Sequence, residues 1–213
     1  GLYASFMPKP LHDQSGNGLH VNMSLMRDGK NLFESPLTPD SEAGYFVAGI
    51  LAHARELTAF CNPVPNSYAR LGANEAPLYI SWSRQNRSQL VRLPSASGDL
   101  CRVELRGPDP AGNPYLVIGL ILAAGLDGIA RKLPLAEPVN RNLFHPSAAV
   151  GLESLPRTLR EAITVAAQSD FIAAELPLAL QNKYFEYQTQ LCHGYENAPD
   201  PAVWERTHGF LVI

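Results

Sequence analysis

One strand-like segment carries a carboxylate between two guanidinium groups. Residues 100–106 alternate apolar and charged side chains, so a strand there would place Arg102, Glu104 and Arg106 on one face and the apolar residues toward the core. A solvated ladder of salt bridges is the plain interpretation, because surface pairs of this kind contribute little. The alternative is a metal-binding carboxylate beside side chains that bind an anion.

A second segment could place a histidine near an anion-binding loop. Lys9 and Pro10 precede the small residues 15–18, and a strand-like stretch follows in which His20 and Ser24 share a face. Small residues let backbone N–H groups approach an anion, and a neutral imidazole can bind a metal. A single glycine loop is a weak signal, and a histidine held only by hydrogen bonds is the usual alternative.

Arginine replaces lysine throughout the region that joins these segments. No lysine lies between Lys30 and Lys132, whereas residues 70–106 contain six arginines and only three acidic residues. The planar guanidinium group suits bidentate capture of carboxylate or phosphate. The excess therefore favours an anionic ligand over simple surface pairing. The six are Arg70, Arg84, Arg87, Arg92, Arg102 and Arg106.

Residues 66–77 form a candidate lid. The segment contains Glu75 and lies within residues 62–77, which have Gly72, three prolines and few apolar anchors and are therefore predicted to be a long loop. A mobile loop could close over a site and bring the carboxylate of Glu75 to it late in a reaction. A solvated loop glutamate is the alternative.

The elements that must position these side chains indicate one α+β domain. Residues 1–35 favour short strands on either side of a loop, and strand signals at 78–82, 88–93 and 100–106 predict an antiparallel sheet with helices packed on it.

Helices are predicted before and after these strands. Ser41 can cap a helix that ends before Asn62. Asn113 and Pro114 can begin a helix that is apolar nearly all round and should therefore be deeply buried. Two amphipathic helices are predicted near residues 157–168 and 177–191.

Composition excludes several classes of function. The net charge is −3 and the pI is about 6.1, and the chain has no block of basic residues that would favour nucleic acid or an anionic membrane. No apolar run reaches the roughly 18 residues of a membrane helix. Three cysteines without close spacing fit a reducing, cytoplasmic location. The absence of an initiator methionine suggests a piece of a longer protein.

Taken together, these segments resemble the glutamine synthetase family. Four motifs occur in the family's order, and the resemblance is good over about residues 3–168. The motifs are Lys9-Pro10 with Gly16-Asn17-Gly18, His20 and Ser24; Arg70 with Glu75-Ala76-Pro77; Asn86-Arg87-Ser88 with Arg92; and residues 102–106 with Pro108-Asp109-Pro110 and Asn113-Pro114-Tyr115.

The resemblance implies an ATP-dependent ligase that joins ammonia to the γ-carboxylate of glutamate through a γ-glutamyl phosphate, with Mg²⁺ or Mn²⁺. It implies that His20 and Glu104 are metal ligands and that Ser24 and Arg92 contact the nucleotide. It assigns glutamate binding to Gly16 and Arg70, and catalysis to Glu75, Arg87 and Arg106.

The same resemblance implies that residues 1–213 are the C-terminal portion of a catalytic domain. Most of the family's metal-binding glutamates and its N-terminal domain precede this portion, and its active sites lie between subunits of a ring. We therefore expect the isolated chain to be inactive. Two alternatives stay open: a ligase for larger amines or polyamines, and a nucleotide-binding relative without catalytic activity.

Overall fold

The computed structural model describes residues 1–2 and 4–210. Its centre is a four-stranded sheet in the order β1-β6-β5-β4, beside a two-stranded hairpin of β2 and β3. The strands are β1 Val21–Met23, β2 Met26–Arg27, β3 Lys30–Asn31, β4 Trp82–Arg84, β5 Val91–Leu93 and β6 Val103–Leu105.

Strand β6 lies between β1 and β5 and determines which side chains meet. It is antiparallel to both, and its register places Glu104 opposite Asn22 on one side and Arg92 on the other. Because side chains alternate along a strand, all three point to the same face. The side chains of Cys101, Val103 and Leu105 enter the core, as predicted.

The α+β class is confirmed, and the sheet differs from the prediction in one pairing. Strands β4 and β5 run parallel, so the sheet is mixed and not wholly antiparallel. The strands of residues 1–35 all follow the loop, since residues 1–2 and 4–20 form none. Tyr3, within the predicted first strand, lies outside the described residues.

Eight α-helices are assigned within the described residues, with short helical turns between them. They are α1 Glu42–Ala52, α2 Ala54–Cys61, α3 Pro65–Arg70, α4 Pro114–Arg131, α5 Leu159–Ala167, α6 Asp170–Glu175, α7 Leu178–Glu196 and α8 Pro201–Glu205.

Two helix boundaries differ from the prediction. The helix capped by Ser41 is two helices, α1 and α2, divided at His53. The predicted loop at residues 62–77 contains the short helix α3, which begins with Pro65 at its first turn. In the first turn of a helix the backbone N–H groups have no partner within the helix. The missing N–H of proline therefore costs nothing there.

Helices α1 and α4 pack closely enough to require glycine. A Cβ atom at Gly49 would clash with the backbone of α4, and one at Gly128 would clash with the backbone of α1. The apolar core extends from this contact to the sheet through Phe46, Ile121 and Val103. The contact thus fixes the helical layer that supports the strands.

One face of α4 is exposed, which corrects the prediction of deep burial. Tyr115, Ile118, Leu122 and Leu126 recur at helical spacing and are solvent-exposed, while the opposite face packs on the core. By length and composition alone α4 could also cross a membrane, contrary to the expectation from the sequence. Core helices satisfy the same test, so this is weak evidence for a span.

Candidate active site

Five of the predicted site residues line a cavity of about 160 Å³, namely Gly16, His20, Arg70, Glu75 and Arg106. Its walls come from the glycine loop, the end of α3, the candidate lid and the segment after β6. Because these segments are distant in sequence, the fold itself assembles the site. The lining residues are Ser15, Gly16, Gly18, His20, Arg70, Ala73, Glu75, Ala76 and Arg106.

The carboxylate of Glu104 is the centre of the polar network. Its Oε1 lies 3.2 Å from Nδ1 of His20, and its Oε2 lies 2.7 Å from Nε of Arg92 and 3.3 Å from Nη1 of Arg106. The predicted convergence of the histidine and the acid across adjacent strands is therefore found. The ladder of surface pairs is excluded for Glu104 because this side chain is buried.

The electrostatics keep Glu104 charged and His20 neutral. Burial by itself would raise the pKa of Glu104, but Arg92, Arg106 and His20 together lower it. Burial lowers the pKa of His20, the charges of Arg106 and Arg70 lower it further, and Glu104 only partly opposes these effects. A neutral imidazole retains a lone pair, which a metal ligand requires.

Arg70 is buried against the glycine loop. It donates through Nη1 to the carbonyl of Gly107 at 2.8 Å and through Nη2 to that of Arg106 at 3.3 Å. A Cβ atom at Gly18 would lie 2.6 Å from Nη2, and one at Gly16 would meet the carbonyl of Pro8. The small residues therefore let the guanidinium reach the cavity wall.

Arg106 joins the lid to the sheet. Its Nη2 donates to the backbone carbonyl of Glu75 at 3.2 Å and its Nε to that of Arg87 at 3.1 Å. The side chains of Glu75 and Arg87 are exposed and face each other at 4.0 Å. The three predicted catalytic residues are thus brought together, with Arg106 in the interior and the other two at the mouth.

Other predicted residues lie farther from the cavity. Ser24 is exposed just past the end of β1. Arg102 donates through Nε to Asn22 at 3.0 Å, on the sheet face that also carries Glu104. Together with Arg84 it lines a separate cleft of about 230 Å³. Four of the six arginines therefore line two separate depressions, and Arg87 and Arg92 line neither of them.

The donor atoms fit part of a binding site for a hard cation. One carboxylate oxygen and one imidazole nitrogen converge, and Mg²⁺ and Mn²⁺ accept such ligands. Within the described residues no group of three His, Cys, Asp or Glu side chains could hold a metal. Arg92 Nε is buried and lies 2.7 Å from Glu104 in an ion pair without an aligned hydrogen bond.

The sequence did not predict a functional role for two buried residues behind the site. Asp109 and Asn62 are hydrogen-bonded to each other at 2.8 Å, and Asn62 also donates to the Gly107 carbonyl that Arg70 uses. A charged residue between two prolines is a local signal of a fixed buried turn. The distance of 47 residues between the partners concealed their contact.

Comparison with known proteins agrees with this geometry. A family model described as the glutamine synthetase catalytic domain matches residues 1–207. A glutamine synthetase of Methanosarcina mazei is 52% identical over 184 residues, which are 83% of this chain and 41% of that protein. One of Thermotoga maritima is 46% identical over 194 residues, covering 87% and 44% respectively.

Solved structures share the fold. A structure described as a GmaS/ADP complex superposes with a TM-score of 0.81 at 34% identity and covers 96% of this chain and 48% of its own. A ligand-free GmaS structure gives 0.81 at 35% identity, with coverage of 95% and 47%. The chain therefore spans less than half the length of the relatives it matches.

Proposed function

We propose that this chain, which belongs to the glutamine synthetase catalytic-domain family, forms part of the active site of an ATP-dependent ligase that joins ammonia to glutamate. The observation that carries the proposal is that His20, Arg70 and Arg106 line one small polar cavity while Glu104 contacts both His20 and Arg106. We further propose that the chain is the C-terminal portion of the catalytic domain, since it covers only 41% and 44% of two curated relatives.

Glutamate would occupy the cavity beside Arg70. This guanidinium uses two of its N–H groups on backbone carbonyls, and others remain for a carboxylate. The backbone around Gly16 would hold another part of the substrate, because no side chain there blocks its approach. A charge-assisted bond of this kind contributes about 1.5–3 kcal/mol.

Phosphoryl transfer would follow at the mouth of the cavity. An oxygen of the γ-carboxylate attacks the γ-phosphorus of ATP and ADP leaves, giving γ-glutamyl phosphate. Arg106 is fixed by Glu104 and by backbone carbonyls, so it offers preorganised positive charge to the phosphoryl oxygens. Arg87 is exposed and could approach from the other side, while Arg92 and Ser24 would contact the nucleotide.

Ammonia would then displace phosphate from the acyl carbon. Glu75 lies on the lid, at 4.0 Å from Arg87, and its carboxylate could accept the proton that ammonium must lose. Closure of the lid would exclude water, which otherwise hydrolyses the acyl phosphate.

His20 and Glu104 would hold a divalent cation, Mg²⁺ or Mn²⁺, which would neutralise phosphate charge when bound. The remaining oxygen ligands would come from outside this chain. The active assembly would thus be the longer protein, as a cytoplasmic ring-shaped homo-oligomer with sites between subunits.

The test measures phosphate release from ATP by the full-length protein with glutamate and ammonia. Arg106→Lys should lower kcat by at least about a hundredfold, the scale for loss of one oriented donor to a developing charge. Arg160→Lys is a matched control, because this arginine pairs with Glu196 on a distant surface. It should leave kcat unchanged.

Three results would contradict the proposal. The first is full activity of the Arg106 variant, and the second is ATP binding without phosphate release by the unmodified protein. A third is faster turnover with larger amines than with ammonia, which would assign a different acceptor. Activity of the isolated 213-residue chain would refute the requirement for further metal ligands.

A further inference from the structure

Asp109 is a fully buried carboxylate that no step of the proposed reaction uses. It is 0% exposed and lies in the turn after β6. Its Oδ2 accepts from Nδ2 of Asn62 at 2.8 Å, its Oδ1 accepts from the backbone N–H of Ala111 at 3.1 Å, and the Ser67 hydroxyl also bonds to it. Three donors directed at one carboxyl group are the pattern of an ionised carboxylate.

Arg70 is the buried charge that Asp109 faces. The guanidinium is 3% exposed, and burial lowers its pKa while Asp109 opposes that effect. Conversely, burial raises the pKa of Asp109 above its ordinary value, and Asn62, Ser67 and Arg70 only partly oppose the rise. An isolated buried charge is costly, so each group makes the charged form of the other more favourable.

Asp109 and Arg70 form no direct salt bridge but are connected through hydrogen bonds to shared partners. Asn62 donates from one Nδ2 both to Asp109 and to the Gly107 carbonyl, and Arg70 donates to the same carbonyl at 2.8 Å. Ser67 lies three residues before Arg70 in α3, one helical turn away. Asp109 therefore holds both the helix that carries the arginine and the carbonyl that orients its guanidinium.

We propose that Asp109 is a positioning residue and remote counter-charge that holds Arg70 aimed at the cavity while leaving its outer N–H groups for a substrate carboxylate. A carboxylate paired directly with Arg70 would occupy those donors. The inference depends on the proposed function, because it assumes that Arg70 binds glutamate.

The experiment uses the full-length enzyme and compares KM for glutamate, KM for ATP and kcat. Asp109→Asn keeps the size of the side chain and removes its charge, and should raise KM for glutamate about tenfold, as loss of one charge-assisted interaction predicts. kcat and KM for ATP should change by less than about twofold, because the loss concerns glutamate binding. Ser67→Ala, a milder change, should raise KM for glutamate about threefold by loosening one bond.

A control separates positioning from simple stability. Thr58→Val removes a buried hydroxyl of α2 that bonds only to the carbonyl of Ala54 among the contacts given by the structure. Any loss of folded enzyme in this variant should lower apparent kcat and leave KM for glutamate unchanged. The same signature in Asp109→Asn and Ser67→Ala would mean a purely structural role and would overturn the inference.

Arg70→Lys distinguishes the inference from the function beneath it. If this change raises KM for glutamate but the Asp109 and Ser67 variants do not, positioning is refuted and the proposed role of Arg70 stands. If Arg70→Lys leaves KM for glutamate unchanged, both are refuted. Parallel increases in all three variants, with Thr58→Val unaffected, support the inference.

Discussion

Protonation of His53 should stabilise the fold. The imidazole lies at the division of α1 and α2, with Nδ1 2.7 Å from Oε2 of Glu56 and Nε2 2.8 Å from Oδ2 of Asp127. It also stacks on Phe171, with ring centroids 3.9 Å apart. A neutral imidazole carries one N–H and can donate to only one carboxylate, whereas the imidazolium donates to both. The geometry therefore favours the charged form.

The pH dependence follows from the direction of the pKa shift. Burial lowers the pKa of His53. The hydrogen bonds that the ring makes to Glu56 and Asp127, together with the charges of these carboxylates, outweigh burial, so the folded-state pKa is raised. The stabilisation should be fully present below the unfolded-state pKa of about 6.5 and should disappear as pH rises through the folded-state value. Arg131 also donates to Asp127, at 3.0 Å.

The perturbation is His53→Gln. Two charge-assisted bonds have a gross strength of about 1.5–3 kcal/mol each, but Glu56 and Asp127 are each about a quarter exposed and can regain water. We therefore expect a net loss of about 2 kcal/mol at about pH 6, and a clearly smaller loss at about pH 9.

The assay is urea unfolding followed by circular dichroism at both pH values. Taking the difference between the unmodified chain and His53→Gln removes the contribution of all other titrating groups that the substitution leaves unchanged. The exposed His193 offers a control, since His193→Gln should give no pH-dependent difference. A loss in His53→Gln that is equal at the two pH values, or larger at high pH, would refute the reasoning.

Three further predictions concern the free energy of unfolding and are checked by urea titration. Ile121→Ala should cost about 2–5 kcal/mol because the side chain is fully buried, whereas Leu122→Ala on the exposed face should cost less than about 1 kcal/mol; equal losses would contradict the packing of α4. Asn113→Ala should cost about 1 kcal/mol by removing the cap of α4, and Asn113→Ser should restore most of it. Gly16→Ala should cost about 1–3 kcal/mol because its Cβ meets the carbonyl of Pro8, and no loss would mean that the loop shifts freely.

Local chemistry explains which elements could be predicted from the sequence. Asn113 followed by Pro114 determines a helix start with little help from the rest of the fold, and α4 begins there. Alternation also determined the face of Glu104, because side chains in a strand have a period of two. By contrast, β4 and β5 are parallel although only residues 85–90 separate them, and the alternation of side chains within each strand does not determine its direction.

Burial could not be derived from apolarity alone. Helix α4 is apolar nearly all round, which predicted deep burial, yet only the face toward Phe46 and the sheet is covered. Likewise, the pattern of residues 42–61 did not reveal the break at His53, because both helices continue one apolar stripe. His53, the residue at the break, contacts Asp127, which is 74 residues away in the sequence.

The charge distribution of the cavity explains why the site residues resisted individual assignment. Arg92 and Arg106 contact the buried carboxylate of Glu104, and Arg70 faces the buried Asp109, so three guanidinium groups are opposed by two carboxylates. Excess positive charge in such a place is costly without an anion, because like charges repel at a low effective dielectric. It therefore favours an anionic ligand. Each arginine viewed alone is compatible with a surface pair, and only their arrangement around buried acids distinguishes a binding site from a salt-bridge ladder.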